Sequence, residues 1–172
     1  MKKGELNINS FHYLPIIQKL NELDIKYVIV GGYAVVLHGF PRLTVDLDLA
    51  ISFEKWNLTQ LISLLTEFEF EPVAPVKMDE LLDEEKRDAW KKEKSMIAFG
   101  LRSKINPLLL IDLMIDGPIL FDELYKDSVF IQINSTPIRV CSLKHLFEMK
   151  QNSQRQRDFE DIEGLKRIMY EG

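Results

Sequence analysis

One cysteine and three histidines are the whole supply of thiol and imidazole metal ligands in these 172 residues. Cys141 has no partner for an intramolecular disulfide. His12, His38 and His145 are too scattered for a zinc site, so a disulfide-stapled scaffold and a Cys/His metal centre are both excluded. No uninterrupted apolar run reaches the roughly 20 residues of a membrane-spanning helix. The longest candidate, INPLLLIDLMIDGPILF, is broken by Asp112, Asp116 and two prolines. The opening MKKGELNINS has two lysines but no apolar segment behind them, so neither a signal peptide nor a membrane span is expected, and a cytoplasmic location follows as the simplest expectation.

Internal repeats, low-complexity tracts and clear linkers are missing as well. With 46% hydrophobic and 28% charged residues, the chain reads as one domain, 1–172, of a size that buries roughly 70% of its unfolded surface. A net charge of −5 denies it the whole-surface positive field on which indiscriminate nucleic-acid binding depends. Positive charge does gather late, where Arg139, Lys144, Lys150, Arg155 and Arg157 face only Glu148. A solvated helix face is the plainer account of that cluster.

What the chain has is a clear alternation of periods. FHYLPIIQKLNEL carries apolar residues near helical spacing, and KYVIV behind it is a β-branched run ending at Gly31. YAVVLHG reads as a helix closed by Gly39, with Pro41 just beyond. VDLDLAIS alternates in period two, as a strand does, and EKWNLTQLISLLTEFEF returns to helical spacing. VKMDELLDEEKRDAWKKEK is mostly charged and predicts an exposed helix or lid-like insertion. SMIAFGLRS and LLLIDLMID predict two more strands, and VFIQINSTPIRVC a hairpin turning at Asn134-Ser135. SLKHLFEMKQ, with Ser142 as N-cap, and RDFEDIEGLKRIMYE predict a helical carboxy-terminal portion over about 142–172.

The block GGYAVVLHGFPRLTVDLDL sets two carboxylates in a segment otherwise built for burial. Successive strand side chains alternate faces, so Asp46 and Asp48 share one face about 7 Å apart. Two like charges there are unfavourable without a cation between them, and oxygen ligands suit Mg²⁺. Upstream, the strand, Gly31-Gly32 and helix order lets backbone approach an anion and offers unpaired N–H groups to phosphate oxygens. Downstream, Asp112 lies within the apolar LLLIDLMID, where a lone carboxylate is costly; it supplies a third acid for the same site.

Gly31-Gly32, Arg42, Thr44, Asp46, Asp48 and the later Asp112 together resemble the nucleotidyltransferase superfamily of the polymerase-beta type. With SLKHLFEMK and RQRDFEDIEGL near the end, the chain looks most like the small AbiEii/MenA-like branch of toxin nucleotidyltransferases; related small members modify aminoglycoside or lincosamide antibiotics. The resemblance implies an α+β fold, a nucleotidyltransferase-like mixed sheet flanked by helices, with helices at the carboxy terminus. It further implies transfer of an NMP from an NTP to a hydroxyl, with release of pyrophosphate. Asp46 and Asp48 would hold Mg²⁺ or Mn²⁺ ions bridging the triphosphate, and Asp112 would ligate a second ion and help deprotonate the acceptor. Gly31 and Gly32 would cradle the β- and γ-phosphates. Of Arg42 and Thr44, one would meet phosphate and the other brace the loop, while Lys150 and Arg157 are the late cations expected to close over the nucleotide. RNA, a tRNA end in particular, and a small molecule compete as acceptor, and the toxin-like branch raises an antitoxin protein as partner.

Two other classes are weighed against this. A nucleotide- or partner-binding module could keep the fold and lose catalysis, although three intact aspartates count against it. A phosphatase of the DxDxT type fits poorly, because Ala50 stands where its threonine belongs.

Overall fold

The computed structural model describes residues 11–153 and 155–171; the amino-terminal ten residues, on which the signal-peptide expectation falls, lie outside them. Seven strands form one mixed sheet in the order β3-β4-β5-β2-β1-β7-β6. At its centre the fully buried YVIV of β1 (Tyr27–Val30) runs antiparallel to β2 (Asp46–Ile51), and β2 runs parallel to β5 (Leu110–Met114). Beyond β5 come β4 (Ala98–Ser103) and β3 (Phe70–Pro72), both antiparallel to their neighbours. On the other side β7 (Thr136–Val140) lies parallel to β1 and carries β6 (Val129–Ile133) as the edge.

The helices follow the apolar periods. In α1 (Leu14–Glu22) Pro15 stands in the first turn, where no N–H is needed, and Ile16, Ile17 and Leu20 are buried. In α3 (Lys55–Glu67) Leu58, Leu61, Leu64 and Leu65 are buried. Between α1 and α3, α2 (Gly31–Leu37) starts directly on the glycine pair rather than at Tyr33. At its other end Gly39 takes φ +105°, a conformation that glycine adopts without penalty. His38 Nε2 meets the Cys141 carbonyl at 2.8 Å and ties this end of α2 to the end of β7. The closing helices are α6 (Leu143–Ser153) and α7 (Gln156–Glu171).

The charged stretch from 76 to 94 differs from expectation. It is split at Asp83 into a 3-10 turn, Met78–Leu82, and α4 (Glu84–Lys94), with Asp83 accepting from the Lys86 N–H at 3.2 Å. Leu81, Arg87 and Trp90 are buried, Arg87 over the Phe53 ring and Trp90 stacked on Phe99, so the segment is anchored to the core. Two elements were not foreseen: β3, and the six-residue α5 (Phe121–Lys126).

Tyr13 joins the amino-terminal helix region to the strands that matter most. It is fully buried, and its hydroxyl lies 2.7 Å from the Val45 carbonyl, 2.8 Å from the Leu110 carbonyl and 2.9 Å from the Leu110 N–H. The hydroxyl accepts from the Leu110 N–H and donates its single proton to one or other carbonyl, tying together backbone groups where β2 and β5 begin. Tyr13→Phe leaves them unpaired and should destabilise the fold by about 1–3 kcal/mol, read as a lower urea midpoint with an unchanged m-value.

Candidate active site

Strand register assembles the three aspartates. Asp48 is the direct partner of Asp112 across the parallel β2/β5 pair, and Asp46 is the partner of Leu110. Paired residues of adjacent strands lie about 4.8 Å apart and share a face, as do residues two apart on one strand. Asp46, Asp48 and Asp112 therefore project from one face of the central sheet. On the far side of β2, Val30 pairs with Asp48, which sets the Gly31-Gly32 turn beside that carboxylate.

Each glycine near these carboxylates is small for a reason in the packing. Gly31 has φ +65°, and a Cβ there would overlap the Asp48 carboxyl group. A Cβ on Gly32 would overlap the Thr44 hydroxyl and stand 3.4 Å from the Arg42 guanidinium carbon. On β4, Gly100 is the partner of Asp112, and a Cβ there would come 3.3 Å from Asp112 Oδ1. The glycine pair thus accommodates Asp48 and Thr44 side chains directly, a use that the phosphate-cradle expectation did not include.

Burial and like charge both act on the acids. Desolvation pushes the Asp48 carboxyl up from its ordinary 3.8 to about 7, and the charge of Asp112 adds to this; the Gly32 N–H and the Lys150 ammonium pull the other way. Asp112 is raised chiefly by burial and then by Asp46, with Arg155 opposing. A group raised in this way sits closer to the pH at which a general base works.

Of the late cations, Lys150 is already committed to carboxylates. Its ammonium lies 2.7 Å from Asp158 and 2.8 Å from Asp161, and Asp161 also pairs with Arg42. All four side chains are mostly buried, from 3% exposed for Asp161 to 17% for Arg42. Asp161 thereby links α6, α7 and the loop before β2, and it holds both Arg42 and Lys150 near the glycine turn and Asp48. Removing one member of a buried pair strands the other charge. Asp161→Asn strands Arg42 and leaves Lys150 with Asp158 alone, and should destabilise the protein by about 3 kcal/mol, measured by chemical denaturation.

Arg157 and Arg155 are exposed and, with Gln156 and Glu160, line an open cavity of about 460 Å³ at the start of α7. Arg155, not Arg157, is the cation whose field reaches Asp112. Sequence reasoning placed Arg155 and Asp158 among the late residues that close over the nucleotide or acceptor without selecting either, and gave no role to Asp161 or Tyr13. Spacing alone cannot signal contacts that depend on how α6 and α7 fold back over the sheet.

The donor set fits a hard divalent ion. Three carboxylates converge by register, and two of them hold protons more tightly than an ordinary aspartate because burial and neighbouring charge are incompletely offset by protein cations. Among the described residues no three His, Cys, Asp or Glu side chains are already gathered closely enough to enclose an ion. The fit therefore rests on the convergence of the carboxylates and their chemistry.

Neither a family model nor a curated protein sequence matches the chain. Solved structures do. The lincosamide antibiotic adenylyltransferase LnuA, bound to lincomycin, superposes with a TM-score of 0.60 at 14% identity, over 90% of this chain and 94% of that one. ANT(2")-Ia in complex with adenylyl-2"-tobramycin gives 0.57 at 15% identity, over 90% and 85%. An antigenic nucleotidyltransferase-like protein from Paracoccidioides brasiliensis gives 0.53 at 22% identity, over 90% and 72%. The mixed sheet, its flanking helices and its carboxy-terminal helix pair are those of the nucleotidyltransferase fold.

Proposed function

We propose that the chain transfers an NMP group from an NTP to an acceptor hydroxyl, with Asp46, Asp48 and Asp112 holding Mg²⁺ or Mn²⁺. The observation that carries this reading is the pairing of Asp48 with Asp112 beside the Gly31-Gly32 turn. When bound, the ions supply neutralisation of the triphosphate and polarisation of the reacting phosphorus.

The chain's own residues do the rest. Asp112, with its raised proton affinity, takes the proton of the acceptor hydroxyl. The acceptor oxygen then bonds to the α-phosphorus while the bond from that phosphorus to the bridging oxygen breaks, and pyrophosphate leaves with the electron pair. Backbone at Gly31 and Gly32 approaches the β- and γ-phosphates. Thr44 braces the loop, and Arg42 and Lys150, aimed by Asp161, face the phosphates. Arg155 and Arg157 border the open side, where a phosphate-rich ligand enters.

The finer likeness to AbiEii/MenA-like toxins, with an RNA acceptor and an antitoxin partner, rests on the sequence blocks alone. The solved neighbours, one bound to lincomycin and one to an adenylylated tobramycin, bring small hydroxylated molecules into the acceptor set. Incubation with each α-labelled NTP, Mg²⁺ and separate pools of total RNA and small hydroxylated compounds should yield a labelled acceptor and free pyrophosphate. NTP binding with no labelled product in any pool would instead leave a nucleotide-binding module.

A further inference from the structure

The row of carboxylates continues past Asp112 onto open sheet. Gly100 of β4 is the register partner of Asp112, and the N–H of Val73, the residue after β3, reaches the Gly100 carbonyl at 2.9 Å. A Cβ at Gly100 would stand 3.3 Å from Asp112 Oδ1 and 3.7 Å from Val73 Cγ2. Both side chains therefore flank that position on one face of the sheet. Across this face the order is Gly31, Asp48, Asp112, Gly100, Val73. The two faces of β4 and β5 differ in cover. Phe99, Leu101, Ile111 and Leu113 point into the core and are at most 2% exposed, whereas Ala98, Gly100, Asp112 and Met114, which alternate with them, are half-buried. Val73 is 58% exposed. Beside Asp112 the sheet thus offers an approach over a residue without a side chain, walled on its far side by a branched apolar one.

The direction of attack gives this approach an occupant. In phosphoryl transfer the attacking and leaving oxygens stand roughly in line across the phosphorus. The glycine turn, where the reading above puts the β- and γ-phosphates, flanks Asp48 on the β1 side. Pyrophosphate leaving towards β1 requires the acceptor to arrive from the β4 side, over Gly100. We infer that the acceptor seats its hydroxyl-bearing group over Gly100, between Asp112 and Val73, and that Val73 sets how large that group can be. This rests on the transferase reading above. Gly100 leaves the seat free, and Val73 is the specificity-determining wall.

The test uses the full chain carrying Val73→Cys. Cys141, the one native cysteine, is fully buried, so thiol reagents modify the introduced position alone. Methyl and benzyl methanethiosulfonate attach groups of increasing size there as mixed disulfides, which dithiothreitol removes. Transfer from α-labelled NTP with Mg²⁺ is measured on whichever pool the wild type labels, total RNA or small hydroxylated compounds. The benzyl adduct should lower acceptor kcat/KM at least about tenfold relative to the unmodified variant, and the methyl adduct less. NTP affinity by calorimetry should match that of the unmodified variant, and dithiothreitol should restore transfer; thermal unfolding of each form checks its folding. Transfer unchanged by both adducts overturns the inference and leaves the transferase standing. A matching loss of NTP affinity also overturns it, since the nucleotide then covers this part of the sheet. A wild type that binds NTP and labels neither pool removes the transferase reading, and this inference with it.

Discussion

Asp112→Asn should bind NTP much as the wild type does and lose at least about 100-fold in the single-turnover rate of transfer. The expectation follows from where the residue stands. Asp112 is the direct register partner of Asp48, and burial and the charge of Asp46 raise its proton affinity. Asparagine keeps the size and the polarity but can neither take the acceptor's proton nor carry the charge. Gly100 leaves room beside the group, so the substitution brings no new steric conflict with its neighbours. Transfer at the wild-type rate would remove Asp112 from the chemistry. Equal losses in binding and rate would make it a nucleotide-ion ligand only.

The same reasoning from sequence located the acids but not their supports. Period-two alternation in VDLDL and an aspartate inside LLLID were sufficient to place three carboxylates on strands, because a charge within a buried pattern stands out against its neighbours. Bringing those three acids to one site requires their strands to be neighbours, and the sheet has β1, β2 and β5 side by side. β3 escaped notice because three residues cannot show a period, and Glu69, with φ +56°, ends α3 just before it. The six residues of α5, set between Pro118 and Ser128, are likewise too few for a 3.6-residue pattern. Lys150 and Arg42 were readable as cations, but their shared partner Asp161 lies 11 and 119 positions away respectively. No local spacing announces such a pair.

Asp48→Asn should change how stability depends on pH, and by more than any other single substitution in the site. Asp48 is carried from 3.8 to about 7 by desolvation and then by Asp112. Between those values the native protein holds a proton that the unfolded chain has released. The stabilising contribution is complete below about pH 4 and is lost as pH rises through about 7. Three pH units correspond to about 4 kcal/mol as an upper bound. In metal-free buffer the stability of Asp48→Asn relative to wild type should therefore climb by several kcal/mol between pH 4 and pH 8, read from urea unfolding at each pH. Parallel curves would show that the native carboxyl titrates normally. Excess Mg²⁺ at pH 8 should stabilise the wild type more than Asp48→Asn, since the ion offsets the burial and repulsion of a charged carboxylate that the variant lacks.

The central claim is that three register-matched aspartates act on a nucleotide through a divalent ion. Calorimetric titration of NTP into the protein, once with Mg²⁺ and once with excess chelator, tests it most directly. The account predicts tight binding with Mg²⁺, binding at least about tenfold weaker in chelator because triphosphate then meets uncompensated carboxylates, and loss of the difference in Asp48→Asn. Equal affinity with and without the ion, unchanged by Asp48→Asn, would contradict it.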